Sequence, residues 1–290
     1  MDLGSFLLLL LSASLAASRN VLSKSFAPFS FKRREFFLIQ ASVFGVGSLA
    51  LLIVNLFTFK GISTFTFLLA LVYGALLVCA QWFYTIALSN GKTAICATIY
   101  SFGFLIPTIS GVMFWKEKIT IFGFFGILIA IPVLVISGIK KKSNGEKSSS
   151  KSYFLPLIIA LICSGGLGIV QKIQQGSEFK GQTTSFILVA FVFCFLSSLS
   201  LFLFLKKGPT KVQGKNFAFG SLIGVFFATC NLLNTHLAGK LNSSVFFPAI
   251  NIGSILFSLI LGLIIYKEKP TKKDVFVLIL ALISILLVNF

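Results

Sequence analysis

Apolar residues run through this chain in long stretches, without the short alternation of half-buried strands, and each stretch is bounded by charged or turn residues. A bilayer hydrocarbon core of about 30 Å takes about 20 mostly apolar residues per helix. Ten runs meet that length: 3–23, 37–58, 66–89, 93–115, 120–138, 153–173, 184–205, 217–238, 243–266 and 274–290. The connectors are too short for a soluble domain. The longest, Lys140 to Ser152, reads KKKSNGEKSSSKS, a polar basic linker near the middle of the chain. The pattern predicts an all-α integral membrane protein of ten transmembrane helices, with a unit at 1–139, a linker at 140–152 and a second unit at 153–290.

The stretch SASLAASR at 12–19 resembles the small-residue end of a signal peptide, but the chain starts Met1-Asp2 without a basic segment. The run 3–23 is therefore read as a transmembrane helix. An internal repeat gives it a counterpart. A shift of about 151 residues lays Trp115-Lys116-Glu117-Lys118-Ile119-Thr120 over Tyr266-Lys267-Glu268-Lys269-Pro270-Thr271, and Leu105, Gly111 and Ala130 over Leu256, Gly262 and Ala281. A shift of about 152 sets Ser12–Ala16 on Ser164–Gly168, so both units open on a small-residue stripe. Five spans per unit is an odd number, so the second unit enters the membrane inverted, an architecture typical of secondary transporters.

Composition removes whole classes. With 57% hydrophobic and 11% charged residues and a mean hydropathy of +1.00, a soluble globular protein is excluded. The net charge of +18 lies in clusters between apolar runs, which suits lipid headgroups and gives no nucleic-acid face. With Arg19 set aside and Lys172, at the end of span six, counted with the loop that follows, loops after odd-numbered spans hold 18 bases and those after even-numbered spans 6, a bias that puts both termini outside. Cys79, Cys96, Cys163, Cys194 and Cys230 fall inside apolar runs with no metal-binding spacing, and read as small core residues.

Two five-span repeats, the segment Tyr84-Thr-Ile-Ala-Leu88 closing the third span, and Lys-Glu-Lys-x-Thr turns after spans four and nine resemble the drug/metabolite transporter superfamily in its ten-helix EamA-type branch. The turn is short, but it recurs at equivalent points of both units. Members often carry a proline early in spans four and nine; here Pro107 lies deeper in span four and Pro248 near the start of span nine. The resemblance implies a solute carrier working by alternating access around a central cavity lined by spans 1, 3, 4, 6, 8 and 9. It implies both termini in the cytoplasm, against the charge bias. It favours export, and the cell membrane as the location.

Polar groups inside lipid cost free energy unless paired or facing a cavity, so they are the candidate binding groups. Asn251, Ser254, Ser258 and Gly262 share one face of span nine, and the repeat sets them on Tyr100, Gly103, Pro107 and Gly111 of span four. Asn231 and Asn234 stand one turn apart on span eight, as do Gln81 and Tyr84 on span three. The expected substrate-binding set is Tyr84, Tyr100, Asn231, Asn234, Asn251, Gln81, Ser254 and Arg19. The competing reading is that these groups tie helices together, and that the small residues let backbones approach. Arg19 and Lys172, near the ends of spans one and six, are positioned either to receive an anion or to snorkel to headgroups. His236 reads as a proton carrier or as an interface marker. Pro107 and Pro132 read as hinges or static kinks. Glu117 and Glu268 read as solvated turn residues beside the interfacial aromatics Trp115 and Tyr266.

All seven acids, Asp2, Glu35, Glu117, Glu146, Glu178, Glu268 and Asp274, lie at span ends or in loops, which disfavours a proton-coupled carrier of cationic drugs. Neutral, zwitterionic or anionic solutes fit better. One histidine and no midplane acid leave no triad, aspartyl dyad or metal cluster, so no enzyme, cofactor or metal is expected. The expected partners are a small-molecule substrate and the lipid bilayer, with no nucleic acid; monomer and homodimer stay open. The alternatives to a carrier are a channel-like or structural membrane protein and, last, a membrane-embedded enzyme.

Overall fold

The computed structural model describes residues 2–24, 33–90, 99–138, 154–205, 214–265 and 272–289. Among them are ten α-helices: α1 Leu3–Lys24, α2 Arg33–Thr58, α3 Thr64–Asn90, α4 Leu105–Trp115, α5 Ile121–Gly138, α6 Phe154–Gly176, α7 Thr183–Phe204, α8 Gly214–Lys240, α9 Ser243–Ile265 and α10 Lys272–Asn289. They follow the ten expected spans. The expected linker 140–152, the second Lys-Glu-Lys turn at 266–271 and Cys96 lie outside the described residues.

Local chemistry sets the helix ends. Asp2 accepts the Ser5 amide at 3.0 Å and so caps α1, and the Ser5 hydroxyl and amide beside it hold its carboxyl below the usual range. Ser63 Oγ accepts the Thr66 amide at 3.1 Å ahead of α3, and Thr120 Oγ1 accepts the Gly123 amide at 3.0 Å ahead of α5. Pro107 has no amide hydrogen for the Gly103 carbonyl, and the chain tightens into a 3₁₀ turn, Phe102–Phe104, where α4 begins. α4 ends at Lys116, whose φ of 53° is left-handed, and the Glu117 amide closes back on the Gly111 carbonyl at 3.2 Å. Pro132 lies inside α5 and Pro248 inside α9.

The helices close a ring. α1 packs on α9, α9 on α4, α4 on α6, α6 on α3, α3 on α7, α7 on α2, α2 on α8 and α8 on α1. α6 and α8 also touch across it, while α5 and α10 pack on each other and on α9, outside the ring. Glycines let backbones approach where helices cross. A Cβ at Gly165 would lie 2.9 Å from the Gly103 carbonyl oxygen, and one at Gly168 2.8 Å from Pro107 and Phe247. α1 is thus built into the bundle through α8 and α9.

Outward faces are apolar. Leu49, Leu52, Ile53, Leu56 and Phe57 on α2 and Phe122, Phe124 and Phe125 on α5 are exposed, an arrangement that lipid tolerates and water does not. Among the described residues, six helices are long and apolar enough to cross a membrane: those spanning Leu3–Leu22, Arg34–Thr58, Thr64–Ala87, Phe154–Gly176, Lys180–Phe204 and Phe217–Lys240. Shorter apolar helices cover Ile99–Trp115, Ile121–Val133 and Ser243–Ser258.

Candidate functional site

The ends of α4 and α6 meet the start of α9 at one face of the bundle, termed the start face; the opposite one is the far face. Polar groups between the helices form three layers along that axis.

The start-face layer is a buried ion pair. Lys172 Nζ on α6 donates to Glu117 Oε1 at 2.5 Å and to the Leu241 carbonyl at 3.0 Å, while Glu117 Oε2 accepts the Ser243 amide at 2.6 Å. Both side chains are about nine-tenths buried, Lys172 at 9% and Glu117 at 10% exposure. Gly111 leaves the room, since a Cβ there would stand 2.5 Å from Glu117 Oε2 and 2.5 Å from Ser243 Cβ. This corrects two expectations. Glu117 is no solvated turn residue, because the left-handed Lys116 turns it back onto the start of α9; Lys172 does not snorkel, because its ammonium meets a carboxylate and a carbonyl inside the bundle.

The middle layer joins α1, α3, α6 and α8. Tyr73 OH donates to Asn231 Oδ1 at 2.6 Å and accepts from Gln171 Nε2 at 2.9 Å, and Asn231 Nδ2 donates to the Phe227 carbonyl at 2.8 Å. Ser12 Oγ donates to Asn234 Oδ1 at 2.6 Å beside Cys230 Sγ at 3.4 Å. Tyr73, Gln171 and Ser12 were missing from the sequence-derived set. A phenol inside a long apolar run must find a partner once buried, and that was the available signal for Tyr73. Removing its hydroxyl strands two buried groups. Tyr73→Phe is expected to destabilise the protein by about 1–3 kcal/mol, read as a lowered Tm in detergent; an unchanged Tm would show that the three groups do not depend on each other.

The third layer lies toward the far face. The Tyr84 and Tyr100 rings pack tilted at 33° with 4.4 Å between centroids, against Ala87 and Leu157, and the Tyr100 hydroxyl lies beside Ser164 of α6. The Arg19 guanidinium sits 4.4 Å over the Phe227 ring, bonds the Asn20 amide oxygen at 3.2 Å and is within electrostatic reach of Tyr100 and Cys230.

The structure therefore brings Tyr84 to Tyr100 and Arg19 toward Tyr100. Asn231 and Asn234 belong to separate clusters. Asn251 donates to the Phe247 carbonyl at 2.9 Å and Ser254 to the Asn251 carbonyl at 2.8 Å, both along α9. Gln81 is half-buried on α3, and its backbone carbonyl accepts Thr85. Pro107 is buried, whereas Pro132 and His236 are exposed. Of the cysteines, Cys194 and Cys230 are buried and Cys79 and Cys163 half-buried, all free thiols. The described residues hold no group of three or more metal-ligating side chains.

The fold and its polar interior define a polytopic helical membrane protein with a ring of spans around hydrogen-bonding groups. Residues 151–290 match the EamA-like transporter family. A solved structure titled only as the crystal structure of a protein shares the fold at a TM-score of 0.75 and 13% identity, covering 99% of this chain and 96% of its own. No curated protein matches the chain. That match covers residues 151–290, just under half of the chain, so through its second half the chain is similar to a family of membrane transporters of the drug/metabolite type.

Proposed function

We propose that the protein is a secondary carrier moving a small organic metabolite across the membrane by alternating access around the interior of the eight-helix ring. The observation that carries this reading is the layering of that interior: a buried ion-pair latch at the start face, an uncharged hydrogen-bonding belt in the middle, and a cation with tyrosines toward the far face. A continuous pore needs no latch. A carrier needs one at each end in turn, joined to the helices that line the site.

The helix pairings support an inverted repeat. Exchanging α1–α5 with α6–α10 turns α1–α9 into α6–α4, α1–α8 into α6–α3 and α2–α8 into α7–α3, and all of these pairs are packed. Two similar five-helix units rocking about their shared contacts open one face as the other closes. Tyr84, Tyr100, Asn231, Asn234, Asn251, Gln81, Ser254 and Arg19 remain the proposed substrate contacts, with export as the working direction and the cell membrane as the location.

Counterflow in proteoliposomes tests this, using pooled amino acids, nucleosides, sugars and their phosphates. Saturable uptake that unlabelled internal solute accelerates is the expected result, weakened in Asn251→Ala protein that melts like wild type. Flux that neither saturates nor responds to internal solute would establish a channel and defeat the carrier reading.

A further inference from the structure

Among the described residues Lys172 and Arg19 lie within apolar spans and Arg34 opens one, and the surroundings of the first two differ. Lys172 meets a carboxylate. Arg19 meets only the Phe227 ring face and the Asn20 amide, both uncharged, and no described carboxylate lies within ion-pair distance of it. A cation within a membrane span is costly, and such residues ordinarily pair or serve a site. The described acids are placed elsewhere: Asp2 caps α1 at the start face, Glu35 is buried in the first turn of α2, Glu117 holds Lys172, Glu178 stands exposed in the turn after α6, and Asp274 lies in the first turn of α10.

Arg19 also points inward. α1 and α4 do not pack side by side, because α9 separates them in the ring, yet the guanidinium is within electrostatic reach of Tyr100 just ahead of α4. Its contact with Phe227 fixes it against α8, on the side of α1 away from α9. Arg19 is partly accessible, and a guanidinium seated over an aromatic ring keeps N–H groups free for an oxyanion.

We propose that the transported molecule bears an anionic group, a carboxylate or a phosphate, and that Arg19, seated on Phe227 with Tyr100 nearby, is the residue that binds it. This rests on the carrier reading and adds its substrate class. The anion supplies the charge that the described protein does not. Arginine is required rather than lysine, because only guanidinium combines ring stacking with bidentate oxyanion binding.

The test pairs charged and uncharged probes of like shape, uridine 5′-monophosphate with uridine and glucose 6-phosphate with glucose, in phosphatidylcholine proteoliposomes. It also measures the Tm shift each gives the purified protein. At least one anionic member is expected to drive counterflow and raise Tm where its neutral partner does neither. Arg19→Gln is expected to raise the half-saturating concentration by about tenfold or more, and Arg19→Lys by less, in proteins whose ligand-free Tm is unchanged. Counterflow of neutral members alone would overturn the anion assignment and keep the carrier. An Arg19-dependent Tm shift without flux would keep the anion site and overturn the carrier. A shift with phosphatidylglycerol micelles but with no soluble anion would assign the anion to a lipid headgroup and overturn the small-solute reading. Neither flux nor shift, or anion counterflow equal in wild type and Arg19→Gln, would overturn the proposal.

Discussion

Lys172→Ala is expected to destabilise the protein by about 3–5 kcal/mol, the largest single effect among its charged residues. The ammonium is the counter-charge of Glu117, whose carboxylate is nine-tenths buried and turned back into the bundle by the left-handed Lys116. Without it the carboxylate keeps only the Ser243 amide, and the Leu241 carbonyl loses a donor. The Lys172→Met, Glu117→Gln double variant is expected to be much less damaged than the sum of the singles, since it removes both charges and leaves an oxygen for Ser243. A cycle of the four proteins, followed by thermal unfolding in detergent, gives the coupling directly; additive effects would mean that the pair is not a unit. Breaking the latch has a second readout. Cys230, in the middle layer beside Ser12, is expected to react several-fold faster with a membrane-impermeant maleimide applied at the start face of the double variant. An unchanged rate would show that the ion pair does not gate that face.

Spans were legible because the bilayer imposes a length that few other environments demand. Phe154–Gly176 and Gly214–Lys240 match runs that apolarity alone delimits to within a few residues. α4 was legible as a span but not as a helix entered through a 3₁₀ turn, although Pro107 named the carbonyl that would lose its donor. The latch was hidden for a different reason. Glu117 and Lys172 are 55 residues apart and Glu117 and Ser243 126 apart, so nothing local shows the meeting, and the flanking Lys116 and Lys118 suggest a solvated turn. Tyr73 showed only as a phenol inside an apolar run, its partners Gln171 and Asn231 lying 98 and 158 residues away. Arg19 was legible as a basic residue within a span, but its seat on Phe227 depends on a residue more than two hundred positions away. Long-range polar pairing is what a single sequence does not display, and here it builds two of the three layers.

Gly224→Leu is expected to prevent formation of a folded, monodisperse protein, and even Gly224→Ala to cost about 1–3 kcal/mol. At the α2–α8 crossing a Cβ on Gly224 would overlap the carbonyl oxygen of Val43 and stand 3.1 Å from its carbonyl carbon and 3.2 Å from the Gly47 amide nitrogen. All three are backbone atoms, and no side-chain rotation relieves the contact. Gly47 answers from α2, with Phe191 at 2.9 Å and the Gly224 carbonyl at 3.0 Å from its own would-be Cβ. Lipid gives helices little hydrophobic reason to associate, so close backbone packing must supply the attraction, and separating these helices forfeits it along their length. Gly176→Ala is the control: its Cβ would meet only Trp115 Nε1, at 3.6 Å, and is expected to change stability by less than about 0.5 kcal/mol. Equal melting of the Gly224→Ala and Gly176→Ala proteins would show that α2 and α8 can move apart without loss. The comparison also bears on transport. α8 carries Asn231 and Asn234 from the middle layer, and its crossing with α2 fixes how far those amides stand from Tyr73 and Ser12. If Gly224→Ala lowers the amount of folded protein but not the turnover of each molecule, the crossing is rigid scaffold and the moving contacts lie elsewhere in the ring. A fall in turnover among molecules that remain folded would place the α2–α8 contact among the surfaces that slide during the cycle.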